Sequence, residues 1–394
     1  MKTAAALSVC VLVASGGCSG AGNGTQGGGG GGNDAGETAV TLDDASPASS
    51  GSSSGGGGGG PSDGGGTSTA APMHDGGAVA PNDAAPPTSG DVDASLPGWT
   101  LVWSDEFNGA DGSDVDPTKW IHDVGEGSDT TEGVWNPGNG WGNDELEYYT
   151  AGNANTQQRG GNLVVTATKN TDPSLVCYFA DDPTNENTTY HTGTCDYTSG
   201  RIKTVQGPVA GKGGALRRDL FAQTYGRFEM RAQIPPGVGL WPAFWMMGTN
   251  LFSQNWPACG EIDVMEEIGE EPGTVHGTSH STKSGDDGVT YTARLPNDAG
   301  LPDAFHVYAI EWSPTSIQWL LDGTVYGTEA APSSPTTSDW PFADPTNPFF
   351  LILNLAVSSG DANSWGAAPT SATPFPAQMK VDYVRVYQAS NADP

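Results

Sequence analysis

The first 96 residues contain no Phe, Tyr or Trp, and Lys2 is their only Lys or Arg. They hold instead two runs of six glycines, Gly27 to Gly32 and Gly55 to Gly60, set among Ser, Pro, Ala and Asp. A chain of that composition cannot bury enough apolar surface to offset its ordering entropy, which keeps it out of any packed core. All 12 Trp lie downstream, so the folded domain is expected over 97–394, with 19–96 as a disordered linker. Basic residues are scarce throughout, 15 Lys and Arg against 46 Asp and Glu, for a net charge of −31. Nine acids against Lys2 put −8 of that charge before residue 97 and leave −23 on the folded part. Such a surface repels phosphate backbones, and nucleic acid is excluded as a partner. Helical stripes, internal repeats and heptads are all missing, so a monomer is expected.

Residues 1–18, MKTAAALSVCVLVASGGC, open with one Lys, a short apolar run and small residues before Cys18. This is an export signal, too short to span a bilayer as a helix. Its ending resembles a lipoprotein cleavage box with Ser15 where Leu is usual. Two destinations stay open: an extracellular protein, or a cell-surface lipoprotein tethered to a membrane through Cys18. Export permits disulfides, and Cys177 with Cys195 are placed to close one loop. Cys259, with no His near it in sequence, reads as a buried small hydrophobe.

From Trp99 onward the periodicity is two. In 224-TYGRFEMRAQIP-235, Phe228, Met230, Ala232 and Ile234 alternate with Arg227, Glu229, Arg231 and Gln233, a strand with one wet face. Segments 161-GNLVVTATK-169 and 379-MKVDYVRVYQ-388 alternate likewise. The apolar run 348-PFFLILNLAV-357 reads as a strand buried on both faces, and Asp322-Gly323 marks a hairpin within 315-TSIQWLLDGTVYGT-328. Many strands at short spacing make the chain all-β, an antiparallel sandwich or barrel.

The chemistry concentrates in 260-GEIDVMEEIG-269. Strand alternation selects Glu261, Asp263 and Glu267, yet Glu267 is six steps from Glu261, about 20 Å on a regular strand and too far for a shared reaction. Glu266 has the right reach and the wrong phase, unless one extra residue is looped out after Asp263. A β-bulge around Val264 and Met265 does this, and bulges are frequent beside active sites. Nearby, Trp241 and Trp245 in 239-GLWPAFWMM-247 sit among Gly and Pro that suggest irregular backbone, where an aromatic face can stack on a sugar ring. Two carboxylates beside a sugar platform suit glycoside hydrolysis, one as nucleophile and the other as general acid and base.

With 261-EIDVME-266, the stretches 103-WSDEFNG-109, 140-GWGNDELEYYT-150, 198-TSGRIKT-204, 225-YGRFEMRA-232, 276-HGTSH-280, 305-FHVYAIEW-312 and 373-TPFPAQMKVDYVRVY-387 occur in an order that resembles glycoside hydrolase family 16, in its laminarinase-like branch. The resemblance covers essentially all of 97–394. It implies a concanavalin-like jelly roll of two curved antiparallel sheets with a cleft across the concave face. Carried over position by position, Glu261 matches the nucleophile, Glu266 the general acid/base, and Asp263 the residue that hydrogen-bonds the nucleophile. Asn143, Arg201, Trp241, Trp245 and His280 match substrate-binding positions, and Glu145 is either a cleft residue or part of a structural salt bridge. No catalytic cofactor is implied. A structural calcium on the convex side would use the carboxylates of Glu106 and Asp382 and the main-chain oxygen of Gly161.

The implied activity is a retaining endo-β-1,3-glucanase acting on β-1,3- or mixed β-1,3/1,4-glucan. Two other readings stay open: the same fold acting on another β-glycan such as an agar or carrageenan galactan, or on a sugar acceptor in place of water, and a non-catalytic carbohydrate-binding jelly roll. The chain departs from the family pattern in a longer loop, 207-GPVAGKGGALRRDLF-221, and in 358-SSGDANSW-365, where Gly-Gly-Trp is usual.

Overall fold

The computed structural model describes residues 39–41, 96–127, 140–180, 190–206 and 218–390, less 255, 286–287, 297–299, 334–335 and 337–338. The chain divides into two units, 1–42 with 93–394 and 43–92, and every described residue lies in the first. The export signal with Cys18, most of the expected linker, and residues 207–217 of the long loop fall outside the described residues.

The main strands in chain order are β1 (Trp99–Asp105), β2 (Asn162–Lys169), β3 (Arg201–Lys203), β4 (Gly226–Gln233), β5 (Leu240–Gly248), β6 (Glu261–Glu266), β7 (Thr274–His280), β8 (Val289–Arg294), β9 (His306–Ser313), β10 (Ser316–Leu321), β11 (Thr324–Ala330), β12 (Phe349–Val357) and β13 (Ala377–Ala389). One sheet runs β8-β7-β6-β5-β12-β3 and on to Ile121–His122. Ala39–Thr41 pairs in parallel with β8 at the far edge, so part of the expected linker is extended strand. The other sheet runs β11-β10-β9-β4-β13-β2, continues through Tyr197–Ser199 to Glu147–Tyr149, and gains β1 on β13.

One core lies between the two sheets, and period-two alternation explains its membership. Phe228, Met230 and Ala232 of β4 are fully buried in it, beside Phe244 and Met246 of β5 and Leu351, Leu353 and Leu355 of β12. The opposite face of β4 is less wet than its pattern suggests. Arg227 is only 6% exposed there, because its guanidinium pairs with Glu229 at 2.8 Å and with Glu311 across the strand at 2.9 Å. The apolar run of β12 is buried on both faces as expected. Its odd-numbered residues enter the main core, while Phe350 and Ile352 join Val205, Met247, Trp256 and Cys259 in a smaller cluster on the other side of the sheet.

Asp322 (φ 49°) and Gly323 (φ 80°) turn the β10–β11 hairpin with the two left-handed residues a tight turn of that hand requires. Cys177 and Cys195 form a disulfide, and Cys259 is a free, buried thiol. Trp241 and Trp245 lie within the nine-residue β5 and not on irregular backbone. Pro242 is tolerated there because its carbonyl takes the Glu267 N–H at the end of β6, and its missing donor faces that same side, where pairing stops.

Candidate active site

Strand register sets out the site in rows across the sheet face turned away from the main core. One row reads Phe350, Met247, Glu261, His280; the next Ile352, Trp245, Asp263, Thr278; the third Arg201, Asn354, Ala243, Glu266, His276. Between the second and third rows β6 slips. Asp263 faces Thr278 and Glu266 faces His276, so three steps on β6 oppose two on β7. The slip is repeated against β5, where Trp245 faces Asp263 and Phe244 faces Met265. This is the expected one-residue bulge.

The bulge follows from what it buries. Ile262, Val264 and Met265 all point into the main core, each at most 1% exposed, and the doubled inward pair lets Glu266 emerge on the same face as Glu261 and Asp263. Trp319, from the opposite sheet, donates its indole N–H to the Asp263 carbonyl at 2.8 Å. Its ring fills the space beside Gly277, where a Cβ would come within 2.2 Å of it. Glu267 does not join the acids. It is fully buried, with neither carboxyl oxygen hydrogen-bonded, and burial pushes its carboxyl up to about 8.

Each active-face acid has its own partners. Trp256 donates its indole N–H to Glu261. His280 Nε2 lies 3.3 Å from Asp263 Oδ2, and Trp241 donates to Glu266 at 3.0 Å. Burial raises all three carboxyls: Glu261 to about 8, with the Asp263 charge adding to it while His280 and the Trp256 N–H draw it down, and Asp263 to about 7. Glu266 is held well above the usual carboxylate range by burial first and then by the Asp263 charge. A retaining mechanism needs an ionised nucleophile facing a protonated acid, and the His280 and Trp256 contacts are the ones that favour ionised Glu261.

The sequence-derived binding residues surround this centre in different roles. Trp241 is only 7% exposed and spends its N–H on Glu266, so it holds the acid more than it offers a broad platform. Trp245 is more open. Arg201 lies over its ring at 4.9 Å and over that of Trp141 at 4.5 Å, and is paired with buried Asp123 at 2.9 Å. Asn143 donates to Glu145 at 3.0 Å. Trp365, at the end of the departing stretch 358–365, packs edge-on against Trp241 at 5.5 Å and His276 at 4.8 Å.

Sequence reasoning missed Asn354, Tyr149 and Glu147. Trp245 donates to Asn354 at 2.7 Å, and Asn354 donates to the Tyr149 hydroxyl at 3.1 Å. Asn354 is the one polar residue in the nine of β12, and that interruption was the available signal. Glu147 is buried on the Val357 amide, with burial and the neighbouring Glu145 holding its carboxyl well up. As side-chain donors, the residues expected to hold calcium do not fit. Both Glu106 oxygens are taken by Arg385, at 3.0 and 2.8 Å, and Asp382 pairs with Arg231 at 2.7 Å. Gly161 lies in the turn before β2 at φ 74°. Each carboxylate is already neutralised by a guanidinium that would repel a cation.

Comparison with known proteins agrees with this geometry. Residues 144–385 match the model for glycosyl hydrolases family 16. The chain is 37% identical over 308 residues to the beta-glucanase of Rhodothermus marinus, covering 74% of this chain and 86% of that protein. Among solved structures, it is similar to the laminarinase catalytic domain of Thermotoga maritima, at TM-score 0.57 and 35% identity over 74% of this chain and 99% of that one. It is also similar to the endo-beta-1,3-glucanase of Pyrococcus furiosus, at TM-score 0.55 and 39% identity over 74% and 94%. With the bulged acidic strand in place, these matches establish that the chain belongs to glycosyl hydrolases family 16.

Proposed function

We propose that this glycoside hydrolase is a retaining endo-β-1,3-glucanase, cutting β-1,3- or mixed β-1,3/1,4-glucan by double displacement. The observation that carries the reading is the bulge that sets Glu261, Asp263 and Glu266 on one face, in a chain whose relatives are beta-glucanases and laminarinases. A Glu261 oxygen attacks the anomeric carbon as the glycosidic C–O bond breaks, and the Glu266 proton passes to the leaving oxygen. Glu266, now ionised, takes a proton from water, whose oxygen displaces Glu261 from the anomeric carbon and releases a sugar of retained configuration. Asp263, two residues along the same face and 3.3 Å from His280, keeps the nucleophile oriented. Trp241 fixes the acid, and Trp245 with Arg201 lines the neighbouring sugar positions. The reading extends to an exported enzyme, free outside the cell or tethered through Cys18; the mass of the mature N-terminus decides between them.

The test is Glu261→Gln and Glu266→Gln assayed on laminarin. Each is expected to lower kcat by roughly 100-fold or more. Full activity in either would sink the mechanism, and products of inverted anomeric configuration by NMR would sink retention. Release of reducing ends from an agar or carrageenan galactan but not from laminarin would move the substrate to another β-glycan.

A further inference from the structure

Glu261 and Asp263 stand two apart on β6, and His280 stands directly opposite Glu261 on β7. Side chains at i and i+2 on one strand share a face with the residue across from them, so the three converge on one point above the sheet. One donor atom from each lies within 4.8 Å of the other two, and all three residues are buried. The edge between His280 Nε2 and Asp263 Oδ2 is already 3.3 Å, about the donor spacing around a tetrahedral ion with ~2.0 Å bonds.

Two further observations concern readiness for a ligand. Asp263 Oδ2 is buried without a hydrogen-bond partner, on a side chain only 3% exposed. The His280 ring is held in place, with Trp256 at 5.6 Å and Gly288, where a Cβ would come within 2.8 Å of the ring. We propose that Glu261, Asp263 and His280 form a binding site for a divalent transition metal ion of the Zn2+ type, and that its occupation shuts off hydrolysis. One imidazole and two carboxylates suit Zn2+, whereas Ca2+ and Mg2+ seek more donors, all of them oxygen. Three protein donors leave a fourth position open toward the face where sugar binds. The ion engages the nucleophile itself, so metal and glycan compete. The binding claim stands on the donor geometry and does not depend on which glycan is the substrate.

The experiment titrates the full chain with Co2+, read by its visible d–d absorption, and with Zn2+, read by calorimetry. Wild type is expected to bind one ion per chain with a tetrahedral Co2+ spectrum that Zn2+ displaces. His280→Gln and Asp263→Asn are each expected to weaken binding by roughly tenfold or more, with melting curves confirming that both variants fold. Activity on soluble glucan is expected to fall with Zn2+ and to return with chelator. Absence of binding at millimolar metal overturns the proposal, as does unchanged affinity in both folded variants or an octahedral Co2+ spectrum.

Discussion

Replacing Glu267 with Gln makes a sharp test of the buried acid that the reaction does not use. Glu267 has no exposed surface and no hydrogen-bond partner on either oxygen, and burial, aided by Glu270 and Glu271, lifts its carboxyl from 4.5 to about 8. A raised carboxyl means that the folded state holds the proton more tightly than the unfolded chain. Its contribution to stability is therefore complete below 4.5 and is lost as pH climbs through 8. At about 1.4 kcal/mol per pH unit, the window is worth at most about 5 kcal/mol. Glu147, Glu261, Asp263 and Glu266 are raised too, so the wild type weakens with pH for several reasons, and the difference from the variant isolates Glu267. Gln matches the carboxyl in size and never ionises. Denaturant unfolding is expected to place Glu267→Gln within about 1 kcal/mol of wild type at pH 5, and several kcal/mol above it at pH 9. An equal difference at both pH values would refute the assignment of Glu267 as a buried neutral acid.

Three further perturbations probe the active face. Trp256→Phe removes a bond that draws the Glu261 carboxyl down, so the acid limb of the kcat/KM profile on laminarin should move up by about one pH unit; an unmoved limb would mean Trp256 does not tune the nucleophile. Gly277→Ala drives a Cβ against the Trp319 ring, and a loss of ~1–3 kcal/mol in unfolding free energy is expected, with reduced kcat as the Asp263 carbonyl loses its anchor. Wild-type melting and turnover would disprove that link. Asn354→Leu frees the Trp245 indole, so KM for long glucans should rise up to about tenfold with kcat little changed; an unchanged KM would remove Trp245 from substrate binding.

Periodicity made one face of each strand legible. It placed Phe228, Met230 and Ala232 in the core and identified Asp322-Gly323 as the turn. The break in that same periodicity revealed the bulge, because a shared reaction demanded reach and reach selected Glu266 over Glu267. What stayed hidden depends on contacts between segments far apart in the chain. Trp319 reaches the Asp263 carbonyl across 56 residues, and Val357 holds Glu147 across 210. No local pattern encodes such pairs. The partner of Glu106 was hidden on the same ground: it finds Arg385 279 residues away, a pairing that only the meeting of β1 with β13 brings about.

The acidic strand is stable because its chemistry and its packing lie on opposite faces of the same residues. A bulge leaves one residue out of the ladder and exposes backbone groups that must find partners. Here the carbonyl of Asp263 finds Trp319, and Val264 and Met265 both enter the core. Burying two such side chains contributes about 1.5–3 kcal/mol each, enough to offset an interrupted ladder. A regular strand would bury one fewer of them and would turn Glu266 inward, as Glu267 is now. The core thus selects the bulged register, and the bulged register alone brings Glu266 onto the face of Glu261 and Asp263. Mutations on the hidden side of β6 should therefore act on catalysis as directly as mutations in the cleft.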